Sequence, residues 1–188
     1  MANIAIISAS IRNNRQSHRV ALYFQKYLEE NKLAGVEILD LKKYKFPLFE
    51  ERLNYLISPA ADVIDFANRV RSADGIIIVT PEYNGGYPAS LKNVIDLLTD
   101  DWSHKPVALA TVSDGIFGGS QVLTSLQFSL WKIRAWMVPA MIRVPNIDET
   151  FDENGNPTNK QAFTKTTAGF VKELLWCIEA KSRMKDYK

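Results

Sequence analysis

What most constrains this chain is an alternation of short apolar runs with longer segments of helical periodicity. Residues 3–8 (NIAIIS) are apolar almost throughout, as a strand buried on both faces must be. Residues 17–31 then place Val20, Tyr23, Phe24, Tyr27 and Leu28 at helical spacing, and Gly35 suits the close of that unit. Residues 36–41 (VEILDL) alternate as a second strand. Residues 42–59 are irregular, broken by Pro47 and Pro59, and Ser58-Pro59 has the form of a start for a helix ending near Ala73. Residues 75–80 (GIIIVT) make a third strand, and 89–98 a helix with Leu91, Val94, Ile95 and Leu98 on one side. Residues 106–112 (PVALATV) make a fourth strand, 120–135 a longer helix, and 141–144 a short fifth strand. Residues 145–159 read as a polar loop with turn chemistry at Asn154-Gly155-Asn156-Pro157. Residues 161–181 form a last helix with Phe163, Phe170, Leu174 and Ile178 on one stripe.

Strands and helices in strict alternation imply a parallel sheet covered on both faces, an α/β three-layer sandwich. Crossovers are right-handed, which leaves few topologies. Five strands suit the flavodoxin-like order 2-1-3-4-5, in which ligands sit beyond the carboxyl ends of the strands where the order reverses. The loops after strands one, three and four are therefore expected to converge. At 188 residues, with no repeat or linker, the chain is expected to be a single domain over residues 1–188.

The charge is nearly balanced, 23 basic against 21 acidic residues, which does not point to a nucleic-acid partner. Cys177 is the one cysteine, so intrachain disulfides and cysteine-based metal sites are excluded, and His18 and His104 are too few for a histidine-rich zinc site. Cys177 is expected to pack in its helix, His18 to sit on a helix surface near the first loop, and His104 to sit in a turn. The apolar N-terminal run is too short to span a bilayer and lacks a basic leader, so a cytoplasmic protein without membrane partners is expected.

The first loop, residues 8–19 (SASIRNNRQSHR), has neither a glycine-rich dinucleotide fingerprint nor a P-loop. It supplies hydroxyls and arginines ahead of a helix, whose N-terminus favours an anion. Ser10 and Ser17 with Arg12 or Arg15 suit a phosphate; alternatively Ser17 caps the helix and the arginines are solvated. The loop after strand three, residues 80–89 (TPEYNGGYPA), sets Glu82, Tyr83, Asn84 and Tyr87 among glycines that permit close approach of a flat ligand. The loop after strand four, residues 113–120 (SDGIFGGS), adds a flexible glycine-rich wall.

The S-x-R start at Ser10, the P-E-Y-N-x-x-x-P-x-x-L-K-N run over residues 81–93 and the later S-x-G-x-x-G-G segment together resemble the NADPH-dependent FMN reductase family. That is a flavodoxin-like group of quinone, azo-dye and chromate reductases. The resemblance implies bound FMN, NAD(P)H as co-substrate and a small-molecule acceptor: quinone, azo compound, metal oxyanion or free flavin. It implies that Ser10, Arg12 and Ser17 form the phosphate loop. Pro81, Glu82, Tyr83, Asn84 and Gly85 then line the ring, and Ser113 and Gly115 belong to the third loop. Two departures stand out: Arg12 and Ser17 lie further apart than in many members, so Arg15 is expected to share Ser17's role, and Asp114 replaces a small residue. Hydride chemistry belongs to the cofactor, so no side chain is expected as acid or base, and Glu82 is expected to organise its loop. The apolar helix over 120–135 and its exit, with Leu123, Leu126, Phe128, Leu130, Trp131 and Trp136, point to a homodimer or homotetramer, as does the resemblance; the competing reading is monomer core.

Two rival functions are weighed. A flavodoxin-type electron carrier would lack its own NAD(P)H oxidase activity, but its threonine-rich phosphate loop is absent and the chain is slightly basic. A nucleoside-processing transferase would use Glu82 as nucleophile and would not bind FMN. A serine hydrolase is disfavoured, because G-x-S-x-G does not occur.

Overall fold

The computed structural model describes residues 1–184, so the end of the expected 1–188 unit lies outside the described residues. The strands are β1 (Asn3–Ser8), β2 (Gly35–Asp40), β3 (Gly75–Pro81), β4 (Pro106–Val112) and β5 (Trp136–Val144). Between and after them run α1 (Ser17–Glu30), α2 (Ala61–Ser72), α3 (Ala89–Leu97), α4 (Ser120–Lys132), the single turn α5 (Ile147–Thr150) and α6 (Lys160–Arg183). The strands form one sheet in the order β2-β1-β3-β4-β5, every neighbouring pair parallel. This is the flavodoxin-like order, with its reversal at β1 and β3.

The two-residue period of a strand splits the core between two faces. Ala5 and Ile7 of β1 join Ile76, Ile78 and Leu109 under α2, α3 and α4, where Phe66, Leu91 and Leu126 are buried. Ile4 and Ile6 face the other way, with Ile77, Val79 and Ala110, under Phe24 of α1 and Phe170 and Leu174 of α6. Both faces are therefore apolar, which is why the central strands read as continuous hydrophobic runs rather than alternating ones. Cys177 is buried in the second of these layers, and burial pushes its thiol pKa up, with the Glu173 charge acting the same way.

Several element boundaries differ from the sequence reading. Gly35 opens β2 instead of ending α1. The left-handed stop falls on Lys32 (φ 52°), where the Lys32 N–H donates to Glu29 O and the Leu33 N–H to Leu28 O. That pair of bonds is a Schellman motif built without glycine. Helix α2 begins at Ala61, two residues beyond Pro59, and has no side-chain cap; Ser58 and Pro59 stay outside it. Helix α4 stops at Lys132, with Arg134 in a left-handed turn (φ 63°). Strand β5 starts at Trp136 rather than 141, because its pairing with β4 slips between Met137 and Met141. Pro139 lies in that slip, where a residue without an N–H breaks no ladder bond and hides the strand from pattern reading. The polar loop at 145–159 contains α5 and a bridge between Phe151 and Pro157.

Candidate functional site

The register fixes where the site is. Ser8 pairs with both Asp40 and Val79, and Val112 with both Pro81 and Val144, so the loops after β1, β3 and β4 leave one sheet edge side by side. They enclose a cleft of about 230 Å³ lined by residues of all three loops, among them Ser10, Arg12, Ser17, Glu82, Tyr83 and Ser113. Arg15, Pro81 and Asp114 line it too.

The first loop ends in α1, whose leading N–H groups have no intrahelical acceptor. The residue preceding the helix is Gln16, and it makes no side-chain cap. Ser17, the first helical residue, is 3% exposed, and its Oγ has no partner among the described residues. A buried unpaired hydroxyl costs about 1–3 kcal/mol, and this one lines the cleft, open to a partner there. The capping alternative for Ser17 is thus not what the structure shows. Ser10 Oγ lies 2.7 Å from Tyr83 Oη, and the Arg12 guanidinium sits 5.5 Å from the Tyr83 ring centroid while remaining exposed to the cleft. Arg15 is engaged: its Nη1 and Nη2 form a bidentate pair with the two Asp40 carboxylate oxygens, and Nη1 also donates to Ser10 O at 3.1 Å. His18, expected at the surface, is half-buried and shares a 3.0 Å hydrogen bond with buried Ser8. Burial, then the Arg15 charge, lower its pKa, which keeps the ring neutral beside the arginines.

The run after β3 ties the whole edge together. Tyr83 and Gly86 exchange two backbone hydrogen bonds, at 2.8 and 3.0 Å, around Asn84 (φ 51°) and Gly85 (φ 78°). Two successive positive φ values on Asn-Gly make a two-residue type I′ turn. In such a turn the N–H groups of the two central residues point away from the bridge, and those of Asn84 and Gly85 donate to no described residue. The Glu82 carboxylate accepts the N–H groups of Gln121 (2.9 Å) and Val122 (3.0 Å), capping α4 from a neighbouring loop. That cap is needed because Gly119, the residue before α4, has no side chain to supply one. Tyr87 Oη bonds Ser129 Oγ of α4 at 2.7 Å, so it is turned toward α4. Ser90 Oγ donates to Ala9 O, and Asn93 holds Pro47 O and the Phe49 N–H. Glu82, Tyr83 and Asn93, three specified positions of this run, are thus each anchored by hydrogen bonds.

In the third loop Ser113 Oγ donates to Gly115 O, and a Cβ on Gly115 would meet nothing within 4 Å. The glycines that the backbone requires are Gly118 (φ 61°) and Gly119 (φ 73°), where a Cβ would lie 2.9 Å from Arg143 and 3.0 Å from Thr111. Sequence reasoning missed Asp40 and Ile147. Asp40 had a weak signal, a carboxylate at the carboxyl end of a strand; Ile147, which lines the cleft, had none. No group of three or more metal-ligating side chains occurs among the described residues.

The sheet order places the chain among flavodoxin-like proteins, and an unpaired hydroxyl at a helix N-terminus, arginine beside it and a turn with free N–H groups have the chemistry to hold a phosphate-bearing ligand. The comparisons narrow the class: residues 2–148 match the model of the NADPH-dependent FMN reductase family, and the chain belongs to it. It is 33% identical over 137 residues to the NAD(P)H-dependent FMN reductase LOT6 of Saccharomyces cerevisiae, covering 66% of this chain and 71% of that one. It is 30% identical over 140 residues to an NADPH azoreductase of a Bacillus species, covering 74% of each. Among solved structures, the flavoenzyme NAD(P)H:acceptor oxidoreductase FerB of Paracoccus denitrificans superposes with a TM-score of 0.78 at 22% identity, over 95% of this chain and 98% of that one. The protein is an FMN-dependent NAD(P)H oxidoreductase.

Proposed function

We propose that the cleft is one FMN site that serves NAD(P)H and a small-molecule acceptor in turn, within a single cofactor-binding domain. The observation that carries this reading is the buried, unpartnered Ser17 hydroxyl at the start of α1, in the cleft where all three loops meet. Ser10, Arg12 and Ser17 bind the phosphate, helped by the α1 N-terminus. Arg15, its charge balanced by Asp40, holds the loop through its hydrogen bonds. Pro81, Glu82, Tyr83, Asn84 and Gly85 form the ring-side wall, where the free Asn84 and Gly85 N–H groups donate to polar atoms and stabilise negative charge. Ser113 and Gly115 leave an open wall on the third side. Bound FMN supplies the hydride chemistry, so no side chain is required as acid or base.

Quinones and azo compounds are the proposed acceptors, supported by relatives that carry those names. The enzyme is proposed to act in the cytoplasm as a homodimer or homotetramer. Phe128 and Trp131 of α4 support the oligomer: they are 64% and 62% exposed and pair at 5.8 Å, whereas Leu123, Leu126 and Leu130 fill the core. No helix among the described residues is long and apolar enough to cross a membrane.

The test is a binding titration of apo-protein with FMN and riboflavin. FMN binds far more tightly than riboflavin if the phosphate site is as described. Arg12→Ala weakens FMN by about 1.5–3 kcal/mol, the scale for a hydrogen bond to a charged group, and leaves riboflavin nearly unchanged. Equal affinities of the wild type for FMN and riboflavin remove the phosphate site.

A further inference from the structure

We propose that Asp40, which does not line the cleft, is a positioning residue that sets the enzyme's preference for a phosphorylated flavin by holding the first loop through Arg15. The inference rests on the phosphate site proposed above. It starts from a loop with few bonds of its own, the Arg12 N–H to Ser10 Oγ at 3.4 Å and Arg15 Nη1 to Ser10 O at 3.1 Å, and with Ser90 and Tyr83 holding only its first two residues. Residues 9–16 contain neither glycine nor proline, and most of their side chains are polar. Ordering each such residue costs about 1–2 kcal/mol of backbone entropy, so a loop of this kind is ready for an anion only if something outside it supplies the order.

The end of β2 supplies it. Asp40 is 2% exposed and grips both Arg15 Nη atoms. Arg15 in turn fixes the Ser10 carbonyl, at 3.1 Å, and so the hydroxyl that Ser10 presents beside Tyr83. The next residue but one strengthens the grip: the Lys42 N–H donates to Asp40 Oδ1 at 3.1 Å, and Lys42 Nζ reaches Arg12 O at 3.3 Å and Asn13 Oδ1 at 3.4 Å. Register explains why the carboxylate is in place. Asp40 pairs with Ser8, the last residue before the loop, and the Leu41 N–H donates to Ser8 O. Burial alone would raise the Asp40 pKa; the Arg15 hydrogen bonds, the Lys42 N–H and the Arg15 charge outweigh it and hold the carboxyl below its ordinary range. The ionised Asp40 carboxylate balances the Arg15 charge, so the contribution of the pair to the loop is positional. A bidentate fork suits this task because its two bonds fix a direction as well as a distance.

The experiment compares Asp40→Asn with wild type in titrations of apo-protein with FMN and with riboflavin, each followed by flavin fluorescence. The expected result is at least a tenfold loss of FMN affinity with riboflavin affinity within twofold. Riboflavin binding serves as the internal control for an intact ring site. Arg15→Lys, which keeps the charge and loses the fork, is expected to give the same selective loss, and Asp40→Asn/Arg15→Lys no more than the worse single variant. Three results overturn the proposal. Equal weakening of both ligands makes Asp40 a support of the fold alone. Unchanged FMN affinity makes the pair irrelevant to the loop. Tighter FMN binding in Asp40→Asn makes Arg15 a direct phosphate ligand that Asp40 restrains. Should Asp40→Asn fail to fold, Arg15→Lys carries the same comparison. A wild type that does not prefer FMN to riboflavin overturns the phosphate site itself, which separates that failure from a failure of Asp40's role.

Discussion

At the scale of single residues, the turn after β3 separates two kinds of requirement. Gly85 is needed for its backbone. Its φ of 78° is a conformation that L side chains rarely adopt, and an added Cβ would lie 3.0 Å from Gln121 Oε1. Glu82 is needed for its carboxylate, whose Oε2 accepts both capped N–H groups of α4. The two substitutions therefore diverge. Gly85→Val strains a β-branched residue into the left-handed region, at a cost of about 1–3 kcal/mol, and is expected to lower FMN affinity and turnover together, whereas Gly85→Asn is milder because asparagine tolerates that region. Glu82→Gln keeps a neutral acceptor for the α4 N–H groups, loses about 1 kcal/mol of stability and retains most of its turnover. Steady-state NADPH oxidation with thermal melts checks both; a Glu82→Gln enzyme that binds FMN normally yet is inactive would restore the carboxylate as a catalyst. Sequence alone found these residues because their types are unusual for a plain turn. It did not find that Tyr87 faces α4 or that Arg15 is held by Asp40, since a partner 25 positions away leaves no local trace.

At the scale of elements, legibility followed burial. The central strands β1, β3 and β4 are buried on both faces and read as unbroken apolar runs, so their limits were plain. The edge strand β5 carries a register slip and Pro139, and only its last four residues kept a strand pattern. Helix α2 was misplaced at its start because Ser58-Pro59 offers a cap that the chain does not use. What ends α2 lies on another element entirely. Lys105, 5% exposed just before β4, donates from Nζ to Arg71 O in the last turn of the helix and to Ala73 O just past it, at 3.1 and 2.5 Å. Burial, followed by repulsion from Lys181, lowers its pKa to about 8, against weaker opposition from Asp74 and Asp101. A base whose pKa is depressed by folding binds fewer protons in the native than in the unfolded state between the two values. Stability from this group therefore rises with pH from about 8 toward 10.5, with a slope of no more than about 1.4 kcal/mol per pH unit. The check is urea unfolding at a series of pH values for wild type and Lys105→Met: the difference in stability between them shifts in favour of wild type across that window. A difference that stays flat with pH would remove the depressed pKa.

At the scale of the whole molecule, the sheet presents one edge at which the three loops converge on a cleft of about 230 Å³. The chain carries no second glycine-rich fingerprint that would hold a dinucleotide of its own beside the cofactor. On the proposed reading NAD(P)H and the acceptor use the same cleft wall, the Asn84-Gly85 turn on one side and the open Ser113–Gly115 segment on the other. A cleft of this kind holds one of them at a time, so oxidised nicotinamide has to leave before the acceptor enters. Alternation of that sort gives ping-pong kinetics, in which double-reciprocal plots at several fixed acceptor concentrations run parallel. It also gives competitive inhibition of NAD(P)H by excess acceptor, because each blocks the other's place. The measurement is initial velocity with NADPH and a water-soluble quinone varied together in the FMN-loaded enzyme. Lines that intersect left of the axis mean that both substrates are bound at once, and a single shared cleft could not produce them.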